Sequence, residues 1–391
     1  MSIIDHIILF LLLFGVYAFW GKYNANKGSA AFWVAAIVPI VLYVFITGSR
    51  YGWGNDYLWY RVQFENIEFI VDQPVFKWLN QSLNYIGFNY VGGFMAYAFI
   101  FVVCAFVFLR SYGEQATYMY CFLVPATLFM STNTIRQGVG MAFIFLVFMF
   151  FFKRKWLFMA LAAFVAINIH SASIVPLAAI IGVFFVFRKP IHYWLSIPLY
   201  IFFAFVFDSS KMAFLSGLLG DVTVDNKFQS YIDNSDSWFG EDAVSDIYVQ
   251  GTFALIMSSL FFIFLFYLGY RALKVRENRQ VLVMYNFVVL GTIMQRAVFL
   301  FEILRRITES IMMFYFVPLG YIFYVYFRDC KQPKSHDAIL FKKYSPVGMT
   351  IILAYLFMYW GRFIFLNPAA DFFWYHIDDY IDPSLFFNYF S

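Results

Sequence analysis

An all-α, polytopic membrane protein is the fold class this sequence predicts, and three observations predict it. Of 391 residues, 63% are hydrophobic and 13% charged, a composition outside the range of soluble globular domains. Apolar runs of membrane-spanning length recur along the whole chain. The connections between alternate runs are basic, as cytoplasmic loops are. Aromatic residues reach 24%, with 55 Phe, too many for interfacial belts alone, so most must face lipid or fill helix contacts. Aromatic abundance here is bulk material and marks no stacking site.

The first run, IIDHIILFLLLFGVYAFW, lacks a basic leader and a small-residue cleavage site, so it reads as a retained helix over 3–20. Apolar runs then predict helices at 30–47, 92–109, 118–131 and 134–152. A KRK turn separates the last of these from 156–170, and further spans follow at 172–187, 191–207, 249–270, 280–300, 308–327 and 346–366. The expectation is about twelve transmembrane helices in a single transmembrane domain over 1–391, with 118–131 and 156–170 short enough to tilt or re-enter. Two external loops are long, 48–91 and 208–248. The first is too aromatic for disorder and is expected at the membrane surface; the second is acidic and rich in turn residues, a mobile cover.

Placing Lys22 and Lys27 in the cytoplasm puts Arg110, Lys153 to Lys155, Arg188-Lys189, Arg271 to Arg279 and Arg328 to Lys343 there as well. These connections hold 17 of the 27 Lys+Arg and 4 of the 23 Asp+Glu, which satisfies the positive-inside rule and turns both termini outward. The other ten basic residues include seven arginines: Arg50, Arg61, Arg136, Arg296, Arg305, Arg306 and Arg362. Arginine presents a planar fork of donors suited to phosphate oxygens, whereas lysine is a strongly hydrated point charge. A phosphorylated ligand at the outer face is one reading; snorkelling or pairing with nearby carboxylates is the other.

No Walker-type Gly-rich loop and no histidine pair at metal-ligand spacing occurs, so nucleotide-driven transport and zinc hydrolysis lose support. Cys104, Cys121 and Cys330 are scattered and suggest neither a disulfide nor a metal site. No metal or cofactor and no nucleic-acid partner is expected. Polar residues gather instead near the expected outer face: Arg50-Tyr51, Asp56, Arg136-Gln137, His170 and Ser171, Arg296, and Arg305-Arg306 with Glu302 and Glu309. Arg136-Gln137, in STNTIRQGVG, falls in the first turn of a helix, where free N–H groups and the helix dipole favour an anion. In FEILRRITESIM, i,i+3 and i,i+4 spacings pair Arg305 and Arg306 with the glutamates. Adjacent arginines stand about 100° apart around a helix, so one can be neutralised while the other meets a ligand. Asn168, His170, Ser171 and Ser173 interrupt the apolar FVAINIHSASIVP, where His170 is either a hydrogen-bonded structural residue or a base working near neutral pH.

GSRYGWGNDYLWY, TIRQGVGMAFIF, the KRK turn, INIHSASIVPL and RRITESIMMFYFVPLGY, in that order, together resemble the EpsG family, a branch of the Wzy-type exopolysaccharide and O-antigen polymerases. The resemblance implies a GT-C-like architecture and a metal-independent, inverting glycosyltransferase in the bacterial cytoplasmic membrane, its active site facing the periplasm or exterior. Donor and acceptor would be undecaprenyl-diphosphate-linked oligosaccharides, with membrane lipid around them and a chain-length regulator and a flippase as partners. By position, the family's G-x-D element falls on Gly54 and Asp56, its Arg-Gln on Arg136 and Gln137, its histidine on His170 and its late arginine on Arg306. The histidine motif here reads HSAS where the family has H-x-S-A, and Arg305 duplicates the late arginine. On this reading Arg136 and Arg306, supported by Arg296 and Arg305, bind the diphosphate; Arg50, Tyr51 and Gln137 bind substrate; and His170 or Asp56 is the base. A glycan ligase with the same donor, a lipid-linked oligosaccharide flippase, and a transferase using a polyprenyl-monophosphate sugar are the rival readings. The last should carry a paired acidic motif in its first outer loop, where Asp56 stands alone.

Overall fold

In the computed structural model, whose described residues are 3–51, 56–70, 73–213, 251–333, 335–365, 373–374 and 385–387, the apolar runs fold as helices. Backbone N–H and C=O groups have no water to bind in hydrocarbon, and the helix satisfies them internally. The order is α1 (Ile3–Asn24), α2 (Ser29–Gly48), β1 (Arg50–Tyr51), α3 (Tyr57–Glu65), α4 (Pro74–Ile86), α5 (Tyr90–Arg110), α6 (Met119–Thr132), α7 (Ile135–Phe152), α8 (Trp156–Ile169) and α9 (Ile174–Val186). There follow α10 (Tyr193–Ile201), α11 (Thr252–Val275), α12 (Arg279–Ala297), α13 (Glu302–Met312), α14 (Phe316–Arg328), α15 (His336–Phe365) and β2 (Phe373–Trp374).

The expected twelve transmembrane helices, and with them the GT-C-like architecture, require correction. Among the described residues six helices are long and apolar enough to cross a membrane: Ser29–Gly48, Tyr90–Arg110, Ile135–Phe152, Thr252–Val275, Leu304–Arg328 and His336–Tyr359. The fold is an all-α, multi-pass membrane protein with about six long apolar helices. For four of the expected spans the shortfall is one of length. The runs expected at 118–131, 156–170, 172–187 and 191–207 form α6, α8, α9 and α10, of 14, 14, 13 and 9 residues. At 1.5 Å per residue, a helix of that length falls short of a hydrocarbon core about 30 Å thick. The last expected span also shifts, because α15 starts within the basic connection, ten residues before the expected 346.

The chain forms two compact units, residues 1–178 with 356–391, and residues 179–355. In the first, α5 packs against α2 and α7, and α7 against α8. The 48–91 segment is ordered as β1, α3, a 3-10 turn at Ile67–Phe69, and α4. Tyr57, Tyr60 and Phe64 of α3 and Phe76 and Leu83 of α4 enter one buried cluster with Phe94, Tyr97, Ile135, Val139 and Ile169. Each large apolar side chain so removed from water contributes roughly 1.5–3 kcal/mol. The aromatic content of that segment is therefore packing material that seats it against α5, α7 and α8. Of the 208–248 loop, residues 214 onward lie outside the described residues.

In the second unit, the connection before α10 is strapped to α12. Asn286 accepts from the Ile191 N–H (2.7 Å) and donates to Lys189 O (3.0 Å), and the Tyr285 hydroxyl donates to Ile191 O (3.1 Å). Arg279 donates to Phe184 O and Phe187 O, satisfying carbonyls left over at the end of α9. Two ion pairs, Arg271–Asp337 at 3.2 Å and Arg276–Asp329 at 3.1 Å, join basic connections to neighbouring helix ends. The three cysteines are buried and free.

Candidate functional site

Thr132 to Gly140, the turn from α6 into α7, is where the first unit's candidate residues meet. The helix breaks there because Asn133 and Thr134 interrupt the apolar run, and Thr134 takes the N-cap position of α7. Arg136 and Gln137 follow in the first turn, Arg136 half-buried and Gln137 buried. Nε of Arg136 is buried with no hydrogen-bond partner, and no carboxylate among the described residues lies within ion-pair distance. A buried donor without an acceptor costs on the order of 1–3 kcal/mol, more when charged.

Three separate stretches reach this turn. Arg50, 1% exposed, donates through Nη2 to Thr132 O (2.7 Å) and through Nη1 to Thr47 O. Its guanidinium lies 5.3 Å from the Phe94 ring and 5.8 Å from the Tyr57 ring. Burial pulls its pKa down to about 10, so it remains a cation at neutral pH. The Asp56 N–H donates to Asn133 Oδ1 at 3.4 Å, and Asp56 occupies the N-cap position of α3. His170 ends α8 with extended backbone, its N–H still bonded to Ala166 O (2.9 Å), and a 3-10 turn over Ser171–Ser173 leads on to α9. Its partner on α7 is Gly140: a Cβ there would stand 2.9 Å from Ser173 Oγ and 3.2 Å from His170 Cβ. Gly140 lies one turn beyond Arg136 on α7, so the close approach of α8 delivers His170 to that part of α7.

Arg50 thus donates to two backbone carbonyls, which ties α2, β1 and the end of α6 together. Arg50→Met keeps the length and removes the donors. It should lower stability by about 2–4 kcal/mol, because two buried carbonyls lose their partner; thermal unfolding of the detergent-solubilised protein measures this. For Tyr51 the structure describes the backbone, which pairs with Phe373. Gly54 lies outside the described residues.

The remaining candidates belong to the second unit. Arg296, in the last turn of α12, is 6% exposed and donates to the Tyr200 hydroxyl (Nε, 3.2 Å) and Ser258 Oγ (Nη2, 2.7 Å), tying α12 to α10 and α11. Rings of Tyr200 and Phe299 flank it at 5.9 and 5.3 Å, close enough for cation–π attraction. On α13, Arg305 forms the i,i+4 ion pair with Glu309 at 3.8 Å and sits 6.0 Å from the Phe299 ring. Arg306 is half-buried beside it. Among the described residues no group of His, Cys, Asp and Glu is arranged to hold a metal ion.

Sequence reasoning missed Thr132 and Asn133, whose carbonyl and carboxamide receive the Arg50 and Asp56 segments. Their only signal was that they are polar and stand just before Arg136 in an otherwise apolar passage. Gln63, buried on α3 with a side-chain oxygen lacking a partner, was missed as well. Comparison with curated proteins and with solved structures found no match. The EpsG family model matches residues 32–376, which takes in both units and every candidate residue, and the chain belongs to the EpsG family.

Proposed function

We propose that this protein is a polysaccharide polymerase, an inverting glycosyltransferase of the bacterial cytoplasmic membrane. It moves a growing glycan from undecaprenyl diphosphate to an incoming lipid-linked repeat unit at the outer face. Membership of the EpsG family, linked broadly to polysaccharide polymerisation, supports the class of activity. The observation that carries the chemistry is Arg136, a half-buried guanidinium whose Nε has no partner and which no described carboxylate neutralises.

The base, His170 or Asp56, takes the proton of the acceptor hydroxyl as its oxygen attacks the anomeric carbon. The bond from that carbon to the diphosphate oxygen breaks, its electron pair stays on the diphosphate, and the configuration inverts. Charge accumulating on the diphosphate is held by Arg136, so the transition state is bound more tightly than the ground state; for Arg306, with Arg296 and Arg305, of the second unit a phosphate-binding role is proposed separately. Gln137, Tyr51 and Arg50 complete the substrate contacts, Arg50 through the position of its segment. A chain-length regulator and a flippase would work alongside.

The test is the purified protein in liposomes with lipid-linked repeat unit supplied from outside. A ladder of polymer on the lipid diphosphate is the expected result. Transfer of single units to another acceptor would show a ligase, and movement of unaltered substrate across the bilayer would show a flippase.

A further inference from the structure

After α15 the chain returns to the first unit at two places. Phe373 and Trp374 form β2, antiparallel to β1, with Arg50 opposite Trp374 and Tyr51 opposite Phe373. Thirteen residues after Trp374, Phe387 bridges Phe88, their rings stacked at 4.7 Å. Between these anchors stands Asn89, which does two things at once. Its Oδ1 accepts from the Val91 and Gly92 N–H groups (3.0 and 3.2 Å) and caps α5, while its Nδ2 donates to Leu385 O at 2.8 Å. Its own N–H donates to Phe386 O at 2.9 Å. Gly92 keeps that approach open, since a Cβ there would lie 2.7 Å from Phe386 O. Capping α5 needs only the side-chain oxygen; the amide nitrogen reaches the returning segment.

The returning segment matters because of what it pairs with. β1 carries Arg50, and Arg50 holds Thr132 O, four residues before Arg136. We propose that Asn89 is a positioning residue for glycan transfer: by gripping residues 385–386 it holds the returning segment on β1, and so fixes Arg50 and the turn that carries Arg136. This rests on the polymerase reading. It extends that reading to a residue that never touches substrate and lies more than forty positions from Arg136 in sequence.

Asn89→Asp separates the two duties. A carboxylate caps α5 at least as well and suits the positive end of the helix dipole, but it turns an acceptor toward Leu385 O where a donor stood. The full-length protein in nanodiscs, given lipid-linked repeat unit, should then show kcat lowered about tenfold or more with KM little changed, since small misplacements at a reacting centre are costly. The amount of inserted protein and its melting temperature should hold. Hydrogen exchange over residues 130–140, read without any substrate, should quicken. Adding Phe88→Cys and Phe387→Cys supplies a covalent substitute for the grip, because antiparallel partners stand within disulfide reach. Oxidation should restore both kcat and slow exchange, and reduction should abolish them again.

Unchanged exchange over 130–140 in Asn89→Asp overturns the proposal whatever the activity. So does a loss of polymer that only tracks lost protein, or a disulfide that forms without restoring slow exchange. Absence of polymer from the unaltered protein would instead overturn the polymerase reading, and the exchange measurement would still decide the role of Asn89.

Discussion

Arg136→Lys is expected to form polymer about 10²–10³-fold more slowly per inserted molecule than the unaltered protein, the usual effect of losing one preorganised donor to a developing anion. Lysine keeps the charge but loses the planar fork and the second parallel hydrogen bond to phosphate. Nothing described in the protein competes for this guanidinium, so the loss falls on the ligand. Arg61→Lys is the control. Arg61 lies over the Tyr90 ring at 4.4 Å and pairs with Glu65 at 2.8 Å on the exposed side of α3, and an exposed i,i+4 pair is worth well under 1 kcal/mol. An arginine that merely snorkels to the interface accepts lysine freely. Equal polymer from the two lysine variants would therefore remove the diphosphate role of Arg136.

The second large effect concerns the proton. His170→Ala is expected to cut the rate of transfer by about 10²–10⁴ while lipid-linked substrate still binds, as loss of a general base does. The substitution keeps the Cβ that meets Gly140. Quenched-flow measurement of the first transfer, with binding measured separately, distinguishes a lost base from a lost site. Near-normal transfer in His170→Ala alongside a comparable loss in Asp56→Asn would move the base to Asp56, whose N–H already docks on Asn133.

Much of this arrangement was legible because it is local. Membrane character, the break before Arg136, the end of α8 at His170 and the Arg305–Glu309 spacing all follow from short windows of residue type. The span count was not, because hydropathy reports apolarity and gives no helix length. The run at 191–207 reads as one apolar segment, yet α10 occupies nine residues of it and Phe202–Val206 is wound as a wider π-helix. Nor could spacing show that Arg50 would reach Thr132, 82 residues away, or that Asn133 would receive Asp56. Contacts of that range are fixed by how helices pack. The 48–91 segment illustrates the same limit: its aromatic residues marked it as ordered, but spacing did not show that many of them fill a core against α5, α7 and α8.

The bond from Asn89 to Leu385 spans 296 positions, and that separation has a consequence for biosynthesis. At elongation of about 5–20 residues per second, roughly 15–60 s pass between the emergence of α5 and that of its distant partner. For that interval β1 is an unpaired strand edge, open to any other extended chain in reach. Every nascent molecule therefore passes through a stage, long compared with helix formation, in which its helices can already be inserted while the turn bearing Arg136 lacks its last restraint. On the proposed role of Asn89, that last restraint is acquired only once residues 385–387 have been made.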